Sequence, residues 1–196
     1  MDMTTERRRY FRLDDAALLK YRVVAEEDLS AARAAVAAHA VHAANLVVAL
    51  EPLEARLAEL MPALRKESRP LAEAIDVLNR KLGLVASVMA LEHGSVSGGP
   101  WREHEPTLVN LGGGGLALTA PLPLALNAWL AIDLVLLPTN HPLRAVGRVV
   151  DCRGDGEEFV VRVEFDTLRE EDRDLIVSHL LRRQAEALKR ERQARD

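Results

Sequence analysis

The sequence predicts an α+β protein, in which a small antiparallel β-barrel carries an inserted pair of heptad-patterned helices and a C-terminal helix. Two observations support this prediction. Short strands with alternating apolar residues, separated by turn residues, follow one another from residue 107 to residue 165, as in small antiparallel barrels. Between residues 28 and 93, apolar residues instead recur at steps of three and four, as in paired helices.

Composition and charge narrow the class of protein. The 196 residues carry a net charge of −4, which argues against general nucleic-acid binding, although the basic residues cluster near the N-terminus and in the last helix and leave room for a local anion site. The single cysteine, Cys152, excludes an intrachain disulfide and a thiolate metal cluster. No apolar run reaches the roughly 18 residues needed to span a bilayer. We therefore expect a cytoplasmic protein.

The first segment, residues 1–27, contains an arginine cluster followed by a strand. Arg7, Arg8, Arg9 and Arg12 lie in a polar stretch, and residues 18–24 mix branched and aromatic side chains as strands do. Guanidinium forks match phosphate oxygens and the O6/N7 edge of guanine. The cluster is therefore a candidate site for a small anion.

Residues 28–93 have the pattern of two long helices. The first heptad series is Leu29, Ala32, Val36, His39, Ala43, Leu46, Leu50, Leu53, Leu57, Leu60 and Leu64. Pro52 and Pro62 lie inside this series and each removes a backbone donor, so we expect a kink or a break near residues 50–52 and fraying or a turn near residue 62.

A second helix is predicted to begin at Ser68-Arg69-Pro70, because proline is tolerated in the first helical turn. Its heptad series is Leu71, Ile75, Leu78, Leu82, Val85 and Met89. A lone helical hairpin cannot cover two leucine-rich seams, which favours oligomerisation through these helices. The alternative is that the helices pack only on their own domain.

Residues 94–106 have the composition of a linker, and strands return over residues 107–196. The predicted strands are Thr107–Val109, Leu116–Leu118, Ala128–Leu137, Leu143–Cys152 and Glu158–Phe165. A last helix is expected to begin after Thr167, which forms a capping-box pattern with Glu170, and to end near Arg192.

No catalytic or metal-binding constellation is present in the sequence. His39 and His42 lie three residues apart on a helix, but no carboxylate or cysteine accompanies them at a matching spacing, so we interpret His39 as a structural interface residue. Neither a Walker lysine nor a glycine-rich dinucleotide fingerprint occurs. We expect neither an enzyme nor a cofactor or metal.

The order of these features resembles the PilZ domain, a six-stranded barrel that binds cyclic di-GMP in bacteria. Residues 8–12 (Arg-Arg-Tyr-Phe-Arg) match the family's R-x-x-x-R motif, and residues 110–115 (Asn-Leu-Gly-Gly-Gly-Gly) are similar to its [D/N]-x-S-x-x-G motif. The strand sequences at residues 147–150 (Gly-Arg-Val-Val) and 163–165 (Val-Glu-Phe) also resemble those that are usual in the family. The resemblance covers residues 6–24 and 107–190. The helical insertion resembles that of the tetrameric PilZ proteins of xanthomonads.

The resemblance implies a role for each arginine in the cluster. Arg8 and Arg12 would grip the guanines and phosphates of cyclic di-GMP, because charge-assisted bidentate hydrogen bonds are among the stronger ones available. Arg7 and Arg9 would either add phosphate contacts or carry solvated charge.

In the second motif, the resemblance implies that Asn110 pairs with a guanine edge and that Gly115 supplies a tight turn. Gly112 stands where the family has serine. One lost neutral hydrogen bond costs about 1 kcal/mol, and the extra glycines add loop flexibility, so we expect binding to be weakened.

The resemblance implies a cyclic di-GMP receptor that forms a homo-oligomer, a dimer or a tetramer, and signals to a protein partner that the sequence does not identify. The alternative is a degenerate PilZ protein that binds no nucleotide and acts as an oligomeric interaction scaffold. The two hypotheses differ in whether glycine at position 112 abolishes the binding of cyclic di-GMP.

Overall fold

The computed structural model describes residues 11–92, 105–154 and 156–193. Its strands are β1 (Arg12–Val24), β2 (Thr107–Gly112), β3 (Gly115–Ala120), β4 (Trp129–Leu136), β5 (His141–Gly154) and β6 (Phe159–Thr167). A 3₁₀ turn (Glu26–Asp28) leads into α1 (Leu29–Glu67), which is followed by α2 (Arg69–Glu92), and α3 (Glu170–Gln193) comes last. The predicted linker lies almost entirely outside the described residues.

The strands form one closed antiparallel barrel in the order β1-β2-β3-β6-β5-β4, which confirms the predicted fold class. Strand β1 pairs with both β2 and β4, although the two helices separate it from them in sequence. It begins at Arg12, earlier than the predicted start at Leu18. The barrel therefore closes only when the N-terminal strand is included.

Alternate side chains of every strand fill the barrel interior. Two apolar residues of α3, Ile176 and Leu180, are fully buried in the same cluster. The interior residues with no exposed surface include Leu111, Leu116, Leu130, Leu136, Val149, Val161 and Val163. Helix α3 thus closes one end of the barrel. The strand residues that alternate with the interior residues point outward.

Helix α1 is continuous through Pro52 and Pro62 to Glu67, so the expected turn near Pro62 is absent. A proline inside a helix costs about 3 kcal/mol through the lost hydrogen bond and the ring clash. Met61, beside Pro62, is buried, and α1 packs along α2, which offsets that cost. The chain turns instead at Ser68, whose hydroxyl accepts a hydrogen bond from the Leu71 amide at 3.4 Å.

The first turns of α1 pack on the barrel. Leu29, Ala32 and Val36 are buried against Val24, Ala131 and Val146. His39, the next residue in the series, is also buried, with its Nε2 atom 3.5 Å from the carbonyl oxygen of Pro142 in β5. The start of the heptad series thus covers the outside of the barrel.

The last turn of α2 is anchored to the same side of the barrel by a buried ion pair. The Arg144 Nε atom donates to the Asp133 Oδ1 atom at 2.6 Å, and both side chains are at most 4% exposed. The same guanidinium donates to the carbonyl oxygen of Leu91, which packs against Leu18 and Val135. Both helices are therefore fixed to β4 and β5 at the ends nearest the barrel.

The outer parts of the two helices expose apolar side chains. Leu82 is 68% exposed and Leu53 is 67% exposed. Six exposed apolar residues at the predicted heptad positions are Leu53 and Leu60 of α1 and Leu71, Leu78, Leu82 and Val85 of α2. We call this set the exposed helical face.

Helix α3 begins at Glu170, and the predicted capping box does not form. Thr167 is the last residue of β6, and its hydroxyl donates to the Asp166 carboxylate at 2.7 Å. Glu170, Glu171 and Asp172 occupy the first turn, where negative charge is favourable. No helix among the described residues is long and apolar enough to cross a membrane.

Candidate ligand-binding site

The two sequence motifs meet at the end of the β1–β2 ribbon. Arg12 lies opposite Gly112, and Asp14 lies opposite Asn110. Because side chains alternate along a strand, Arg12 and Asp14 share the outer face of β1. The end of the arginine motif is thus adjacent to the asparagine and glycine of the second motif.

Two glycines allow the Arg12 side chain to lie across this ribbon. A Cβ atom at position 112 would lie 2.7 Å from the Arg12 Cγ atom and 2.8 Å from the carbonyl oxygen of Phe11. At position 115, it would lie 2.2 Å from the carbonyl oxygen of Val163 and 3.2 Å from Arg12 Nη2. Both positions therefore require glycine while Arg12 keeps this conformation.

The glycine run is a tight turn and not the flexible loop that its composition suggested. Gly112 and Gly115 pair with each other, and only Gly113 and Gly114 connect the strands. The Phe165 amide donates to the Gly114 carbonyl at 3.0 Å, and Arg173 Nη1 of α3 donates to the Gly113 carbonyl at 2.6 Å. Ordering this turn on binding therefore costs little entropy.

The Asn110 carboxamide already has a partner. Its Nδ2 atom donates to the Asp14 Oδ1 atom at 2.8 Å. Asp14 is exposed and Asn110 is half-buried. This contact holds the amide against the outer face of the barrel, and it places a carboxylate at the site that sequence reasoning did not single out.

Asp15, the next residue of β1, points to the other side of the strand and binds α3. Its carboxylate accepts hydrogen bonds from His179 Nε2 at 2.5 Å and from Arg183 Nε at 2.9 Å. Asp15 and His179 are buried, and the bond to Asp15 raises the pKa of the Arg183 guanidinium. Sequence reasoning did not single out His179. Its helical spacing from Ile176 and Arg183, which puts all three on one face of α3, was the only available signal.

Arg7, Arg8 and Arg9 lie outside the described residues. Of the predicted site residues, the structure therefore brings together Arg12, Asn110, Gly112 and Gly115. In the described part of the chain, no group of histidine, cysteine, aspartate and glutamate side chains is arranged to hold a metal ion.

Comparisons with known proteins agree with this architecture. The family model of the PilZ domain matches residues 84–182, from the second half of α2 into α3. No curated protein matches the sequence. A tetrameric PilZ-domain protein from Xanthomonas campestris, self-assembled via a helical bundle, superposes with a TM-score of 0.51 at 14% identity, covering 92% of this chain and 90% of its own. The inhibitor of motility MotI/DgrA from Bacillus subtilis gives a TM-score of 0.38 at 21% identity, covering 43% of this chain and 44% of its own.

Proposed function

Since the chain belongs to the PilZ domain family, a family of cyclic di-GMP receptors, we propose that it binds cyclic di-GMP on the outer face of the barrel beside Arg12. The observation that carries the proposal is the strand register that sets Arg12 opposite Gly112. Strand β1 lies outside the residues that match the family model, yet barrel closure returns it to the second motif. Arg8, four residues before Arg12, would complete the arginine motif, with Arg7 and Arg9 nearby.

The chemistry of these residues suits a guanine dinucleotide. The Arg12 fork matches a phosphate or the O6/N7 edge of guanine, and the Asn110 amide and Asp14 carboxylate supply acceptors for the guanine N2 amino group. Gly112 and Gly115 keep the barrel surface low enough for the Arg12 side chain to lie flat on it, where a bound base would meet its guanidinium. Gly112 lacks the family's hydroxyl, which costs about 1 kcal/mol, or less than about tenfold in affinity.

The experiment that tests binding is a calorimetric titration of the full chain with cyclic di-GMP. We expect saturable heat that is lost in the Arg12→Ala variant. Arg56→Ala is the matched control, because it removes the same charge from an exposed position of α1. No heat from the parent chain, or equal affinity in the Arg12→Ala variant, would contradict the proposal.

We further propose that the exposed helical face assembles the chain into a homo-oligomer, a dimer or a tetramer. Leu82 and Leu53 are about two-thirds exposed, and leucines at heptad spacing bury themselves by pairing with other helices. The oligomerising segment would then be residues 28–93. The ligand-binding barrel would comprise residues 1–27 and 107–196, and the linker would be residues 94–106.

The receptor would act by changing the surface that it offers to a protein partner in the cytoplasm, in keeping with PilZ domains being receptor or adaptor domains and not catalysts. The second candidate is an oligomeric interaction scaffold that binds no nucleotide. Gly112 in place of the motif serine is the observation that favours it. The same titration separates the two, because the scaffold predicts no heat with any guanine dinucleotide.

A further inference from the structure

The register of the barrel continues the candidate site across two more strands. Asn110 of β2 lies opposite Ala117 of β3, and Ala117 lies opposite Arg162 of β6. Adjacent strands are about 4.8 Å apart, so the Cα atoms of Asn110 and Arg162 are separated by about 10 Å. Arg162 thus stands on the same outer face as Asn110, with one small residue between them.

Small residues fill the middle of this face and charged residues flank it. Gly112, Gly115 and Ala117 form the floor. Arg12 approaches the floor from β1, and Arg162 borders it on β6. The Arg12 side chain lies across Gly112 and Gly115, so a doubly charged ligand on this face would meet the Arg12 guanidinium on one side of Ala117 and Arg162 on the other.

The guanidinium of Arg162 has no polar partner within the described residues. It is half-buried, and no hydrogen bond or ion pair joins it to another residue of the described ranges. Asp151 lies opposite it on β5, but the Asp151 carboxylate accepts from Arg153 Nε at 3.0 Å. A half-buried guanidinium that reaches solvent beside a candidate ligand site is available to bind an anion.

The neighbouring carboxylate explains why a second cation is needed. Glu164 lies opposite Gly115, on the same face as Arg162 and two residues along β6. Its carboxylate is exposed, and its negative charge disfavours a phosphate bound above the glycines. A single arginine would have to offset both this repulsion and the loss of phosphate hydration.

We infer that Arg162 is a further ligand-binding residue, which holds a phosphate of the cyclic dinucleotide from the side opposite Arg12. The inference rests on the proposed function and deepens it, because it adds the β6 strand to a site otherwise built from the two motifs. Arg162 supplies charge and not base selectivity, since Asn110 and Asp14 already face the base at the other end of the row.

Titrations of the Arg162→Ala and Arg162→Lys variants with cyclic di-GMP test the inference. A charge-assisted hydrogen bond is worth about 1.5–3 kcal/mol, so Arg162→Ala is expected to weaken binding by at least about tenfold. Arg162→Lys should keep most of the affinity, because a phosphate accepts a point charge. The salt dependence of binding should also be shallower in Arg162→Ala. Arg56→Ala is the control for the change in net charge.

The outcomes separate this inference from the proposed function. Loss of binding in Arg12→Ala with unchanged or tighter binding in Arg162→Ala would overturn the role of Arg162 and leave the receptor proposal intact. Equal losses in Arg162→Lys and Arg162→Ala would overturn the phosphate assignment, because only a guanine edge requires the planar fork. A parent chain that gives no heat would overturn both.

Discussion

Arg12 and Gly112 are so close that a Cβ atom at position 112 would lie 2.7 Å from the Arg12 Cγ atom. Restoring the family's serine is therefore not a simple gain of a hydroxyl. The substitution must push either the arginine side chain or the Phe11 backbone away from β2.

We predict that Gly112→Ser binds cyclic di-GMP no more tightly than the parent and is destabilised by about 1–3 kcal/mol, the usual range for overpacking. Urea unfolding and calorimetric titration measure the two effects. Gly112→Ala is the matched control, because it adds the Cβ atom without the hydroxyl and should be equally destabilised. Tighter binding by Gly112→Ser at unchanged stability would show that the chain accommodates the serine.

Adjacent aspartates of β1 should differ sharply in their contribution to stability. Asp15 is buried and bound by His179 and Arg183, so Asp15→Ala leaves the buried His179 Nε2 unpaired and removes one of the two carboxylates that bind Arg183. It is expected to cost about 3–5 kcal/mol. Asp14 is exposed, so Asp14→Ala should cost less than about 1 kcal/mol. Urea unfolding of the two variants gives the comparison. Equal losses of stability would mean that the contacts of Asp15 with His179 and Arg183 do not hold α3 on the barrel.

Charge placed on the exposed helical face should break the proposed oligomer. Leu78 and Leu82 are 57% and 68% exposed, and a glutamate at either position would have to lose its hydration in a helix–helix seam. We predict that light scattering gives a multiple of the chain mass for the parent and the mass of a single chain for the Leu78→Glu/Leu82→Glu double variant. Leu122→Glu is the control, at a 71% exposed position in the loop between β3 and β4. A monomeric parent would contradict the assembly.

The stability of the fold should decrease in mild acid because His39 becomes protonated. Burial, and next the Arg144 guanidinium, lowers the pKa of His39 below its ordinary value of 6.5. The unfolded chain therefore binds a proton that the folded chain resists, and stability decreases as the pH falls below about 6.5. His39→Gln keeps a donor for the Pro142 carbonyl but does not titrate. Thermal unfolding between neutral and mildly acidic pH should show a smaller loss for His39→Gln; identical profiles would exclude this role.

The strands after residue 107 could be predicted to within a few residues, because alternation and turn residues are local signals. The start of β1 could not. Residues 14 and 15 are both aspartates, which argues against a strand, and Asp15 is tolerated there only because His179 and Arg183 reach it from the far end of the chain. No local pattern reports a partner at that separation.

The heptad series illustrates a second limit. Leu29, Ala32 and Val36 repeat at the same steps as Leu78 and Leu82, yet the first three are buried against the barrel and the last two are exposed. Periodicity identifies the apolar face of a helix but not what covers it.

At the candidate site, the motif resemblance was sufficient to select Arg12, Asn110, Gly112 and Gly115. It could not show that Arg173 of α3 holds the Gly113 carbonyl and makes the glycine run a tight turn. Nor could it place Asp14 and Arg162 beside Asn110, because that adjacency arises only from the cross-strand register.

The measurement that tests the central claim most directly is the calorimetric titration of the parent chain with cyclic di-GMP, repeated with Arg12→Ala. We predict saturable binding by the parent and its loss in the variant, because Arg12 lies across the glycines where the ligand would bind. No binding by the parent, or equal binding by the two proteins, would contradict the assignment of this chain as a cyclic di-GMP receptor.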